Sequence, residues 1–93
     1  MPTIKDVVVS KPNDQQADTC KQWPIWECKA STFDWDYTQS ETCLLLEGEV
    51  TVTDRPAAET SVTFGPGDMV TFPKGLACIW QIKKDVKKHY NFS

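Results

Sequence analysis

Histidine is nearly missing from this 93-residue chain: there is one, His89. Glycine is sparse at four residues, and no apolar run exceeds the five residues from Leu76 to Trp80. A membrane-spanning helix needs about 18 such residues, so no membrane partner is expected. Met1 is not followed by a charged-then-apolar leader, which makes a cytoplasmic location the expectation, with a mature organellar chain as the alternative. Four cysteines fall below the roughly 8–10% that marks a disulfide scaffold, and reduced thiols follow. Ten basic against 13 acidic residues leave a net charge of -3, the wrong balance for a duplex-binding surface, so no nucleic-acid partner is expected. Helical periodicity is absent too: no stretch repeats apolar residues at i, i+3, i+4 and i+7 over three turns.

What is present is strand-forming sequence. From Trp23 onward the chain is rich in aromatic and β-branched residues, punctuated by proline and glycine. Its length predicts one domain. Glu41–Glu47 and Gly48–Thr53 read as two strand pieces pivoting on a glycine, where a missing side chain permits a bend. Asp54–Glu59 reads as an exposed loop, Gly65-Pro66-Gly67-Asp68 and Pro73-Lys74-Gly75 as tight turns. Cys78–Lys83 and Val86–Phe92 read as separate strands around a polar turn at Lys84-Asp85. With pieces near 26–29 and 31–37, seven to nine short strands are predicted, which suits a sandwich or jelly-roll barrel. Residues 1–19 read as an extended N-terminal arm ending in a polar loop (Lys11–Gln16), and 20–93 as the folded domain.

Two spacings narrow this. Gly67-x5-Pro73-x-Gly75 resembles the second signature of the cupins, and Glu41-x6-Gly48 resembles the end of the first. The former arises by chance in about 2% of chains this long. The blocks Trp23-Pro24-Ile25-Trp26-Glu27, Phe33-Asp34-Trp35-Asp36-Tyr37, Leu46-Glu47-Gly48 and Lys88-His89-Tyr90-Asn91-Phe92 look like the small single-domain cupins grouped with the ureidoglycine aminohydrolase cupin domain. The resemblance implies an all-β, single-domain cupin jelly-roll β-barrel, and a group described mostly as cupins of unknown function.

Metal-binding cupins present His-x-His, a glutamate, and a third histidine after the Pro-x-Gly turn. Those positions fall on Trp35, Tyr37, Glu41 and Cys78. Indole offers a metal no ring nitrogen, neutral tyrosine is a poor ligand, and one carboxylate with one thiolate falls short of three or four donors. Neither a metal nor another cofactor is expected. Trp35 and Tyr37, with Trp80 on the strand face of Cys78, would instead line the barrel mouth with flat apolar surface, or simply fill it. Glu41 beneath them could act as an acid, a base or an orienting acceptor, or be a satisfied core residue. Cys43 shares the inward parity of Glu41 and joins the candidate ligand-binding set with Cys78, against the alternative that both are small buried hydrophobes. His89 reads as structural. Lys83, Lys84, Lys87 and Lys88 read as a solvated strand edge or a docking patch. Cupin barrels often pair, so Leu44 and Leu46, facing away from Glu41, either cover the outer sheet or form a homodimer interface.

The function expected is metal-independent binding of a small molecule in an aromatic-lined pocket of Trp35, Tyr37, Glu41, Cys43, Cys78 and Trp80. Two alternatives stand beside it: a structural subunit docking in a larger assembly, and a hydrolase or isomerase of the ureidoglycine aminohydrolase type using Glu41.

Overall fold

The computed structural model describes residues 2–55 and 60–93. Among these residues strand-forming sequence becomes seven strands of one antiparallel sheet: β1 (Val8–Ser10), β2 (Ile25–Cys28), β3 (Ser31–Asp36), β4 (Glu41–Asp54), β5 (Ser61–Phe64), β6 (Met69–Phe72) and β7 (Ala77–Phe92). The order is β1-β6-β4-β7-β2, with β3 also on β7 and β5 also on β4. Strands β4 and β7 change neighbours midway. The start of β4 pairs with β6 and its end with β5, while the start of β7 pairs with β3 and its end with β2. A strand that serves two neighbours in turn must bend, and the bend rolls the sheet into a single-domain all-β jelly-roll barrel.

The bend is at Gly48, as its spacing predicts. Its φ is 107°, and a Cβ there would lie 2.7 Å from the Asp85 carbonyl oxygen and 2.9 Å from that of Lys84. Both contacts are backbone, so any side chain would force β4 and β7 apart. The register slips three times between Leu45 and Val50. One expectation fails across from it: Lys84-Asp85 is no turn between strands but lies inside the continuous 16-residue β7. Lys83, Lys84 and Asp85 are all exposed between inward Ile82 and Val86, so alternation is interrupted by a bulge that keeps both strand pairings.

The N-terminal segment is also more than an extended arm. Ile4 is buried in a short 3₁₀ turn (Ile4–Asp6) and joins the core, and β1 pairs with β6. The polar run read as a loop leads into helix α1 (Asp14–Cys20). Asn13 and Gln16 form a capping box, each side chain accepting the other's backbone N–H at 2.8 and 3.0 Å. Sequence periodicity misses this helix because it buries only Cys20. Leu44 is buried within the chain on the face away from the barrel interior, in register with His89, whose Nδ1 lies 2.8 Å from the Trp23 carbonyl. Residues 56–59 of the expected Asp54–Glu59 loop lie outside the described residues. No helix among the described residues is long and apolar enough to cross a membrane.

Candidate functional site

Alternation along β4 sends Glu41, Cys43 and Leu45 into the barrel, and alternation along β7 sends Cys78, Trp80 and Ile82, then Val86 and Lys88. Each long strand therefore carries one charge inward. Lys88 Nζ donates to Glu41 Oε2 at 2.9 Å, and Tyr37 Oη donates to Glu41 Oε1 at 3.0 Å. The two charged side chains are only 6% and 4% exposed. Tyr37 is held in place by the second glycine turn: Gly75, at φ 90°, donates its N–H to the Tyr37 carbonyl at 2.7 Å, and Tyr37 N–H reaches Leu76 O at 2.9 Å.

Rings surround the ion pair. The Lys88 ammonium lies 4.6 Å from the Trp80 ring centroid and 4.9 Å from that of Trp26, so indole faces supply the attraction that water would otherwise give. Phe33 stacks on Trp80 at 6.1 Å, and Trp35 meets Tyr37 edge-on at 6.3 Å. These groups enclose a cavity of about 190 Å³, completed by Tyr90 and Phe92 from the end of β7. At its mouth Trp35 is 45% and Phe92 41% exposed.

Burial, reinforced by the charge of Glu41, pushes the Tyr37 phenol far above its ordinary value. It remains a hydrogen-bond donor throughout the physiological range. Burial likewise pushes the Cys43 thiol up to about 12, although the Lys88 charge pulls it down. Cys78 is pushed up to about 12 by burial against the opposing pull of Arg55. Thiols this protonated are poor nucleophiles and poor ligands.

Of the residues singled out from sequence, Trp35, Tyr37, Glu41 and Trp80 come together around the cavity. Cys43 and Cys78 do not line it: both sulfurs are fully buried, and Cys78 Sγ donates to the Trp35 carbonyl at 3.5 Å. Sequence reasoning missed Lys88, Trp26, Phe33, Tyr90 and Phe92. Lys88 corrects the solvated-edge reading, since it is buried while Lys83 and Lys84 are exposed. The available signal was parity: Val86 and Lys88 are two residues apart on one strand face. Lys84 and Lys87 stand in register with Glu49 and Glu47, so two of the three remaining lysines lie opposite acidic residues.

The resemblance to metal-binding cupins implies an ion beside Glu41, and the donor set does not fit one. Both Glu41 oxygens are engaged by Lys88 and Tyr37, the equivalent imidazole positions hold an indole, a phenol and a protonated thiol, and an ammonium already occupies the carboxylate's side of the cavity. No group of three or more His, Cys, Asp or Glu suited to a metal occurs among the described residues.

The same architecture occurs in known proteins. A DUF861 family protein from Thermotoga maritima is 42% identical, with a TM-score of 0.87 over 95% of this chain and 100% of that one. The EutQ protein of Clostridium difficile is 20% identical (TM-score 0.65, 73% of this chain and 52% of that one), and a protein of unknown function from Rhizobium leguminosarum is 18% identical (TM-score 0.61, 99% and 93%). Those two likenesses speak to the fold alone. No curated protein matches the chain at a significant level. The EutQ-like cupin domain family matches across residues 15–90, and with the jelly roll and glycine corner already described, this chain belongs to that family of the cupin superfamily.

Proposed function

We propose that this cupin binds a small, planar, uncharged molecule in its aromatic cavity, without a metal. The observation that carries the reading is the combination of ring-lined walls with an ion pair that is neutralised internally. An apolar cavity of about 150 Å³ holds benzene, so about 190 Å³ suits a single ring with a small substituent. A charged ligand would lose its hydration and find no free counter-charge, because Glu41 and Lys88 already satisfy each other. An uncharged ring loses little, gains stacking on the indoles, and can direct one polar substituent at Tyr37, Glu41 or Lys88.

A hydrolase or isomerase using Glu41 would first have to release that carboxylate from two hydrogen-bond donors. A docking role through the lysine cluster loses Lys88 to the interior. The test is a titration of chelator-treated protein with single-ring neutral compounds, read by tryptophan fluorescence. Saturable changes that persist in chelator and weaken in Trp35→Ala support the reading. Changes that require added manganese or zinc, or none for any such compound, overturn it.

A further inference from the structure

A buried amine beside a carboxylate, in a cavity open to a planar guest, is also a chemical site. Lys88 has one hydrogen-bond acceptor among the described residues, Glu41 Oε2 at 2.9 Å, and indole faces on two other sides. Lys11 offers the contrast: it too is paired, with Asp68 at 2.6 Å, but its side chain is 74% exposed. Water competes at Lys11 for everything the amine could do, whereas at Lys88 a cavity guest is the neighbour.

We propose that Lys88 forms a reversible imine with a small aromatic aldehyde held in the cavity, with Glu41 carrying the protons. This rests on the cavity being a ligand site. One ammonium proton passes along the existing hydrogen bond to Glu41, freeing the nitrogen lone pair. That pair bonds to the carbonyl carbon while the C=O π pair moves to oxygen, which takes the proton back from Glu41. The resulting carbinolamine loses a second nitrogen proton to Glu41, and the hydroxyl, protonated from the same carboxyl, leaves as water as the C=N bond forms. In sum, an ammonium and an aldehyde give a protonated imine and one water, with no oxidant or reductant required.

The reaction conserves charge, and here that decides the matter. The protonated imine is still a cation next to Glu41 and between the indoles of Trp26 and Trp80, and its remaining N–H can still donate to the carboxylate. The rings that stack on the aldehyde raise its local concentration at the nitrogen. Tyr37, locked in its protonated form, fixes the carboxylate from the other oxygen so that Oε2 stays on the amine.

The experiment treats the full chain with benzaldehyde and cyanoborohydride, which freezes imines as benzylamines, and locates the adducts by peptide mass spectrometry. The expected result is one benzyl group, on Lys88 ahead of every exposed lysine. Benzyl alcohol, which fits the same space and forms no imine, should protect it. Glu41→Gln should slow labelling by about 10²-fold, the usual size of a lost proton carrier, and Lys88→Arg should abolish it. Benzyl groups on exposed lysines with Lys88 untouched in the unaltered protein overturn the proposal, independently of whether either variant folds. Benzyl alcohol then separates the two failures: if it still perturbs tryptophan fluorescence, only the imine is lost, and if it does not, the binding reading falls with it.

Discussion

Strands β4 and β7 run through two unlike regions of one barrel. Where they cross the middle, Val50, Phe64 and Ile82 are at most 3% exposed, and none of the described charged side chains points inward beside them. Where β4 begins and β7 ends, Glu41 and Lys88 meet among rings and a cavity remains. The packed middle owes its stability to apolar area removed from water. The open end has no such account, because desolvating two charges consumes most of what their attraction returns. The difference teaches that the pair is explained by what it presents to the cavity, and stability is the business of the middle.

The largest effects should come from splitting the pair. Lys88→Met leaves Glu41 buried without its cation and should cost about 3–5 kcal/mol in urea unfolding, whereas Glu41→Gln with Lys88→Met together should return close to the parent stability. A double variant as unstable as the sum of the singles would break the comparison. Ile82→Ala, in the packed middle, should cost about 2–5 kcal/mol and leave the affinity for benzyl alcohol unchanged, as calorimetry would show. Tyr37→Phe should cost about 1.5–3 kcal/mol for the lost bond to a charged acceptor, and should shift ligand affinity as well.

At neutral pH the two buried thiols cost nothing, and their effect emerges only in alkali. Folding raises the thiols of Cys43 and Cys78 from 9.0 to about 12, so the folded chain holds these protons more tightly than the unfolded one. Their contribution is intact below pH 9 and drains as pH climbs toward 12, by about 1.4 kcal/mol per pH unit for each thiol. Unfolding curves across that window should show the loss, and Cys43→Ala should make its slope shallower, with the raised Tyr37 phenol adding to the loss above pH 10. In the same range Cys28, which is half-buried, should react with a thiol reagent before either.

Much of this was legible in the residues. Gly48 reads as a corner because it divides two strand-length pieces, and the Gly67 to Gly75 spacing announced the turn that delivers Tyr37. Aromatic residues at positions where relatives carry imidazoles pointed at the cavity end. The rest depended on contacts between segments far apart in sequence. Lys88 sits in a run of lysines and looks solvated until the parity of Cys78, Trp80 and Ile82 is carried past the exposed Lys83 to Asp85, and the exposed Lys84 at an even position hides that the inward face resumes at Val86. Helix α1 has no apolar stripe and is recognisable only by its capping pair. The cupin likeness is shown by the EutQ-like cupin domain family, and the narrower likeness to the ureidoglycine aminohydrolase group goes beyond that match, since spacings shared by all cupins fix the barrel and say little about its contents.

The central claim is that the cavity beside Glu41 and Lys88 receives a neutral ring with no metal present. The most direct measurement is a nitrogen-proton NMR titration of the chelator-treated chain with benzyl alcohol, following the four indole N–H signals and the backbone. The account predicts saturable shifts at the indoles of Trp26, Trp35 and Trp80, with Trp23 and exposed Val8 of β1 unmoved. Shifts confined to Val8, Val9 and Ile25 on the outer surface, or shifts at the cavity only after a divalent cation is added, would contradict it.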